Sequence, residues 1–108
     1  MIEALEPQPD PAHGFGDIWG DLLPRLPERL RPYAAERRRQ GIERYGVTLS
    51  PFNGRDARMD LFQELLDGIA YAEQAVVEGR ENYGSVRDNL IALAYAVAGD
   101  LHPPSGAQ

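Results

Sequence analysis

The chain has 108 residues, enough for one small domain with a modest hydrophobic core. Its 17 acidic residues outnumber its 11 basic ones, and this balance excludes generic nucleic-acid binding by the whole surface. The absence of cysteine excludes disulfides and thiolate metal sites, and it favours a cytoplasmic protein over a secreted one. Because no apolar run approaches the roughly 18 residues of a membrane-spanning helix, and no signal peptide is visible, we expect a soluble protein.

Proline and glycine dominate the beginning of the chain. Such a composition buries too little apolar surface to order itself alone, so we predict a flexible arm over residues 1–16. The apolar residues that follow have helical spacing, and Asp17 is a candidate N-cap for a short helix. We expect Trp19 to dock this helix on the main body, because large aromatic side chains are highly buried on average. Exposure of Trp19 to a partner protein is the alternative.

The first substantial helix is predicted from Pro32 to Tyr45. Proline suits the first turn of a helix, and Gly46 is a typical C-terminal stop. Residues 46–55 are predicted to form a loop, because Pro51 disfavours helix and an Asn-Gly pair signals a turn. A β-hairpin is the competing interpretation, but the flanking residues lack sustained alternation.

The clearest periodicity lies in residues 56–78. Apolar residues recur there with a period close to 3.6, which predicts an amphipathic helix that ends before Gly79. A third helix is predicted to begin at Ser85, which forms the Ser-x-x-acid pattern of a capping box with Asp88. The tail over residues 102–108 is predicted to be disordered.

The second and third predicted helices have wide, alanine-rich apolar faces and a short connection, which predicts an antiparallel helical hairpin. A hairpin alone cannot cover both faces, so other helices of the chain or of another copy must do so. We therefore predict an all-α fold, a small helical bundle built on this hairpin and completed by homo-oligomerisation. Residues 17–101 are its single predicted domain.

Three acidic residues share one side of the second predicted helix: Asp60, Glu64 and Asp67 occupy positions i, i+4 and i+7. Like charges at this spacing repel by roughly a few tenths of a kcal/mol per pair. A solvated acidic face that pairs with arginines is the simpler interpretation. The alternative is a Mg²⁺ site, since helical bundles bind hard cations through inward carboxylates. Glu43 and Asp88 would contribute to such a site if the helix faces converge.

The basic residues are all arginine, and several lie on the first helix and in the loop after it. Guanidinium groups bind phosphate oxygens bidentately, which makes these arginines candidate phosphate ligands. A solvated helix face that pairs with the acids is again the alternative. The candidates are Arg37, Arg38, Arg39, Arg44 and Arg55.

Other common types of catalytic and metal site have little support in the sequence. His13 and His102 both lie in predicted tails, so we expect neither to be catalytic or metal-binding. The chain has no glycine-rich phosphate loop, no His-Glu-x-x-His motif and no serine-centred elbow. Covalent nucleophilic catalysis therefore has no candidate residue.

Three short motifs and a tyrosine carry a family resemblance: Gly41 to Gly46 (GIERYG), Asn53 to Asp56 (NGRD), Glu64 to Asp67 (ELLD) and Tyr71. Over roughly residues 37–78 the chain resembles small phage and prophage proteins that are similar to the MazG-like, all-α nucleotide pyrophosphohydrolases. The resemblance implies a nucleoside triphosphate substrate and bound Mg²⁺ that activates water. Glu64 and Asp67 match the Glu-x-x-Asp element of these enzymes and are the implied catalytic metal ligands.

The resemblance also suggests how the rest of a site would be built. Asp60, Glu43 or Asp88 would complete the Mg²⁺ coordination. The phosphates would then be bound by nearby arginines, for which Arg38, Arg44 and Arg55 are the candidates.

Two further functions stay open, because the Glu-Glu-x-x-Glu element of the enzymes' first helix is missing from this chain. One is a non-catalytic phage or prophage interaction protein, for example an anti-defence protein that binds a host protein through its acidic surface and Trp19. The other is a nucleotide-binding scaffold that has the pocket without the chemistry.

Overall fold

A computed structural model of the chain describes residues 8–12 and 14–101. Every regular element in these ranges is helical, and they contain no strand, so the predicted all-α class is confirmed. The predicted tail over residues 102–108 and both histidines lie outside the described residues, as do residues 1–7 of the predicted arm. The α-helices are α1 (Ile18–Leu22), α2 (Arg31–Tyr45), α3 (Ala57–Val77) and α4 (Tyr83–Leu101), with 3-10 turns at Leu23–Arg25 and Glu28–Leu30.

The chain divides into two compact units at the bond between Arg55 and Asp56. The first unit contains α1, α2 and the loop that follows α2, and the second contains α3 and α4. Among the helices of the described residues, none is both long and apolar enough to cross a bilayer.

Helix α2 begins and ends where its residues favour it. Pro32 lies in the first turn, where its missing N–H leaves no hydrogen bond unmade. Gly46 ends the helix in a left-handed conformation with φ of 79°, and its N–H donates to the Ile42 carbonyl at 2.7 Å. The predicted helix over residues 32–45 and its glycine stop are therefore confirmed.

The loop after α2 lies against the N-terminal residues of the chain. Ala12 N–H donates to the Asn53 carbonyl and Ile18 N–H donates to the Leu49 carbonyl, both at 2.8 Å. Ser50 and Asn53 are buried polar residues of this loop, only 3% and 8% exposed. The absence of strand in residues 46–55 agrees with the predicted loop and contradicts the competing hairpin.

Helix α3 agrees with the predicted helix over residues 56–78 to within one residue at each end. Asp56 is its N-cap, and the carboxylate accepts a hydrogen bond from Arg58 N–H at 3.0 Å. The helix closes at Gly79, which has φ of 104°, while Arg80 N–H donates back to the Ala75 carbonyl at 2.8 Å.

The predicted start of the third helix was wrong, because α4 begins at Tyr83 rather than after Ser85. A turn leads directly into the helix, since Tyr83 N–H donates to the Arg80 carbonyl at 3.0 Å. The Ser85 hydroxyl donates to the Asn82 carbonyl at 3.1 Å, instead of accepting a backbone N–H as an N-cap does. Ser85 and Asp88 therefore form no capping box.

Helices α3 and α4 pack side by side in opposite directions. Arg58 near the start of α3 contacts Asp100 near the end of α4 at 3.1 Å, while Glu73 contacts Arg87 at 2.7 Å. Close approach is possible at Gly68, where an added Cβ would lie 3.3 Å from Leu90 Cδ1. The buried apolar side chains of this unit are Phe62, Ala72 and Ala94.

The small core of the second unit leaves many apolar side chains exposed. Tyr71 is 70% exposed and Tyr95 is 83% exposed, so the two helices by themselves do not cover their apolar surface. The predicted oligomerisation stays a prediction. The other large apolar side chains exposed in this unit include Leu61, Leu66, Val77, Val86, Ile91 and Leu93.

Candidate functional site

The three acids of the predicted cation site lie along one face of α3. Glu64 and Asp67 are exposed and Asp60 is half-buried. The helical repeat places these three on the side away from Phe62, a buried residue of α3. The structure therefore brings the three carboxylates together on one helix and leaves two of them in contact with solvent.

Glu43, the candidate ligand on α2, belongs to an ion-pair ladder. Its Oε2 accepts from Arg39 Nη1 at 2.8 Å, and Arg39 also donates to both carboxylate oxygens of Glu36. The hydrogen bonds that Arg39 donates to Glu36 hold the pKa of the Glu36 carboxyl below its usual value. Both pairs follow the i, i+3 and i, i+4 spacing of an exposed helix surface, as the solvated-face interpretation of this helix predicts.

Asp88, the candidate ligand on α4, is exposed and accepts a hydrogen bond from Arg87 Nε at 3.0 Å. The same arginine donates from Nη1 to Glu73 on α3. Arg87 therefore links two acids across the helix pair, and Asp88 takes part in that link.

Glu64 and Asp67 offer the carboxylate oxygens that Mg²⁺ prefers. In the described part of the chain, however, no three Asp, Glu or His side chains are gathered closely enough to hold a metal ion. The donor type fits Mg²⁺, and the remaining positions of its coordination shell would need to come from water, from a phosphate or from another copy of the chain.

Arg38, the first candidate phosphate ligand, binds a carboxylate of its own chain. Its Nε and Nη2 donate to Asp17 Oδ2 at 3.0 and 2.8 Å. Asp17 Oδ1 accepts from Thr48 Oγ1 at 2.7 Å and from Gly20 N–H at 3.1 Å, the latter as the N-cap of α1. The hydrogen bond from Arg38, followed by that from Thr48, lowers the pKa of the Asp17 carboxyl to about 2. The predicted cap is confirmed, and Asp17 also joins three separate parts of the first unit.

The other candidate phosphate ligands contact nearby groups. The Arg44 guanidinium lies 5.1 Å from the ring centre of Tyr45, at cation–π distance. Arg55 Nη1 donates to the Pro9 carbonyl, which attaches the described part of the predicted arm to the loop. Arg37 donates to Gln40 Oε1 at 2.9 Å along the surface of α2.

Sequence reasoning did not identify the contacts that Asp17 makes beyond α1. Thr48 lies 31 residues from Asp17 and Arg38 lies 21 residues away, so no helical periodicity connects them. One local signal was present in Gly20, where a Cβ would lie 2.6 Å from Asp17 Oδ2. The glycine three residues after an N-cap acid leaves room for that carboxylate to receive further donors.

Comparison with known proteins adds no relative: no protein-family model, no curated protein and no solved structure matches the chain.

Proposed function

We propose that the chain is a MazG-like, Mg²⁺-dependent nucleoside triphosphate pyrophosphohydrolase, or a nucleotide-binding relative of such enzymes, that acts in the cytoplasm. The observation that supports this proposal is the pair formed by Glu64 and Asp67, two exposed carboxylates one turn apart on α3. They match the Glu-x-x-Asp element of the resemblance, and their exposure leaves them accessible to a hydrated cation.

Glu64 and Asp67 would hold the cation, with Asp60 on the same helix face as a third carboxylate. When bound, Mg²⁺ would supply charge neutralisation at the phosphates and would make water more acidic. Glu43 and Asp88 are weaker candidates, because each would have to leave its arginine partner in order to bind a metal ion.

Phosphate binding is proposed for arginine side chains of the first unit. Guanidinium groups donate two parallel hydrogen bonds to phosphate oxygens, as Arg38 already does to one oxygen of Asp17. Arg44 and Arg55 are the other candidates.

We propose that a second copy of the chain covers the exposed apolar residues of α3 and α4. Exposed aromatic and aliphatic side chains on both helices support this arrangement, because water contact with so much apolar surface is unfavourable. Packing of one helix pair against another gives a four-helix bundle and brings further acids within reach of a shared cation.

The enzymatic proposal is tested by incubation of the purified protein with a panel of nucleoside triphosphates and Mg²⁺, with release of pyrophosphate as the readout. We expect Glu64→Gln and Asp67→Asn each to lower the rate at least about tenfold, since each removes one charged metal ligand. Glu81→Gln is the matched control, because Glu81 is an exposed acid of the same unit that lies outside the proposed site. Equal rates in all four proteins, or no pyrophosphate release from any nucleotide, would reject catalysis.

A non-catalytic interaction protein is the second candidate function. It is supported by the solvent exposure of Glu64 and Asp67 and by the exposed Tyr71 on the same helix, which together form an acidic surface with an aromatic centre. Arginine and aromatic residues on a host protein would complement such a surface. A complex with a host protein that forms with the wild type, and is lost in a Glu64→Arg, Asp67→Arg variant, is the expected result. A complex that survives both charge reversals would contradict it.

A further inference from the structure

The segment from Gly14 to Leu22, here called the strap, lies on the loop that follows α2. Gly14 N–H donates to Ser50 Oγ at 3.0 Å, and Ile18 N–H donates to the Leu49 carbonyl at 2.8 Å. Thr48 Oγ1 completes the series with its 2.7 Å hydrogen bond to Asp17. Three hydrogen bonds thus hold the first part of the strap, from Gly14 to Ile18, on the loop.

The strap is held in place by hydrogen bonds and by apolar side chains that are at most half-buried. None of the residues of α1, all of which the structure describes, is buried. Of the four large apolar side chains in the strap, Phe15 is 90% exposed and Ile18 is 37% exposed, while Trp19 and Leu22 are half-buried. Segments with few buried apolar contacts belong to the least stable parts of a protein and detach before the rest unfolds. A ligand that competes for the polar contacts can therefore displace the strap.

The centre of these contacts is a carboxylate surrounded by donors. Asp17 receives two hydrogen bonds from Arg38, one from Thr48 and one from Gly20 N–H. A guanidinium fork and a hydroxyl are the groups with which proteins bind phosphate oxygens. Asp17 therefore occupies donors that suit a phosphate anion.

Gly14 allows the strap to lie close to the loop, and Gly20 leaves room for the Asp17 carboxylate. A Cβ on Gly14 would lie 2.4 Å from the Pro51 carbonyl oxygen and 2.6 Å from Ser50 Oγ, distances that require the strap to move. A Cβ on Gly20 would meet Asp17 Oδ2 at 2.6 Å. The close contact between strap and loop therefore requires a residue without a Cβ at Gly14.

We propose that the strap is an autoinhibitory element: Asp17 occupies Arg38 and Thr48, and a polyphosphate anion competes with Asp17 for these donors and releases the strap. The choice of a polyphosphate as ligand rests on the proposed function, because nucleoside triphosphates carry the same phosphate groups. The strap adds a regulatory contact inside the first unit, separate from the carboxylates of α3.

Trp19 makes the release of the strap measurable. It is the single tryptophan of the chain and lies half-buried in α1, so its fluorescence reports on the environment of the strap. The full-length protein is titrated with inorganic tripolyphosphate at constant ionic strength while Trp19 emission is recorded. We expect a saturable shift of the emission to longer wavelength as Trp19 becomes hydrated.

Three variants identify the contact responsible. Asp17→Asn keeps the shape of the side chain and its ability to cap α1, but it weakens the hold on Arg38, so we expect about tenfold tighter binding of tripolyphosphate. Gly14→Ala displaces the strap without a change in charge and is expected to tighten binding as well. Arg38→Gln removes the phosphate-binding fork and is expected to weaken binding at least about tenfold.

Asp21→Asn is the matched control, because Asp21 is an exposed acid of α1 and the substitution changes the net charge by the same amount as Asp17→Asn. Its affinity for tripolyphosphate is expected to stay within about twofold of wild type, since an exposed charge is largely screened by salt. Equal affinities of wild type, Asp17→Asn and Gly14→Ala would overturn the proposal. An unchanged Trp19 emission at saturating tripolyphosphate would overturn it too.

The proposed function can fail separately. If pyrophosphate release depends on Glu64 and Asp67 while Asp17→Asn leaves tripolyphosphate affinity unchanged, the autoinhibitory strap is rejected and the enzyme proposal is retained. If the strap responds to tripolyphosphate and no nucleotide is hydrolysed, the enzyme proposal is rejected and the strap is retained.

Discussion

Arg38 on α2 and Asp17 at the start of α1 form a two-donor ion pair, with Nε and Nη2 at 3.0 and 2.8 Å from the same carboxylate oxygen. The two residues are 21 positions apart in the chain, and both side chains are only partly exposed. Within the first unit this pair links the N-terminal segment to the long helix through opposite charges.

The pair predicts a specific dependence of stability on pH. Because the pKa of the Asp17 carboxyl falls to about 2 in the folded protein, from about 3.9 in an unfolded chain, the ionised carboxylate stabilises the fold above about pH 4. This contribution falls as the pH drops below about 4, and it is lost as the pH falls through about 2.

Thermal unfolding of wild type and Asp17→Asn between pH 2 and pH 7, followed through Trp19, measures this contribution. We expect the wild type to be more stable at pH 7 and the difference to shrink steeply towards pH 2, where about half of the folded-state Asp17 carboxyls are protonated and uncharged like the amide. A difference that is independent of pH would show that the charge of Asp17 adds no stability.

Gly46 predicts a loss of stability on substitution by alanine. Its φ of 79° lies in the left-handed region, which disfavours any residue with a Cβ, so Gly46→Ala should lower the free energy of unfolding by about 1 kcal/mol. Gly41→Ala is the matched control within the same helix, because a Cβ there meets nothing within 4 Å. That variant should gain about 0.5–1 kcal/mol from better helix propensity. Denaturant titration of both variants, followed by circular dichroism, measures the free energy of unfolding and shows whether Gly46→Ala lowers it while Gly41→Ala raises it.

The contact between α3 and α4 at Gly68 predicts that a larger side chain there lowers stability. A Cβ would lie 3.3 Å from Leu90 Cδ1, so a larger side chain must push the helices apart, and Gly68→Leu should cost about 1–3 kcal/mol. Gly99→Ala serves as comparison, since a Cβ at this helical position meets open space and should raise stability slightly. If calorimetry showed Gly68→Leu to be neutral, close packing at this position would be rejected.

Two aspartates that bind the same arginine are predicted to contribute differently to the stability of the fold. Asp100 pairs with Arg58 across the exposed surface, and its side chain is 63% exposed, so Asp100→Asn should change stability by less than about 1 kcal/mol. Asp56 pairs with Arg58 as well, but it also caps α3, so Asp56→Ala should cost about 1 kcal/mol. Urea unfolding of the two variants tests the ranking, and an equal or reversed order would contradict it.

The proposed association of two copies predicts that thermal stability rises with protein concentration. Leu93, which is 55% exposed on α4, should be part of the covered surface, and Leu93→Glu is expected to yield a monomer. Tyr33→Glu is the control, since Tyr33 is 72% exposed on α2, outside the helix pair. Light scattering coupled to size-exclusion chromatography gives the masses. A wild type that remains monomeric at high concentration would contradict this association.

The sequence by itself determined the helical class and most helix boundaries. Local rules sufficed at three positions: Gly46 and Gly79 adopt positive φ and end α2 and α3, and Asp17 caps α1. The same reasoning failed at Ser85, where the choice between cap and helical turn depends on the preceding turn and its hydrogen bonds. The acid spacing on α3 was also readable, because helical periodicity places residues three and four apart on one face.

Only the tertiary structure decided which charged groups meet. Arg38 was a candidate phosphate ligand in the sequence, and the structure pairs it with Asp17. Glu43 and Asp88 were candidate metal ligands, and they pair with Arg39 and Arg87. The pair of Arg38 with Asp17 joins residues distant in the chain, and periodicity carries no information about such distances. Even where two partners are neighbours on one helix, spacing alone does not say whether an acidic side chain contacts water, a cation or an arginine. The side-chain geometry in the folded structure decides this.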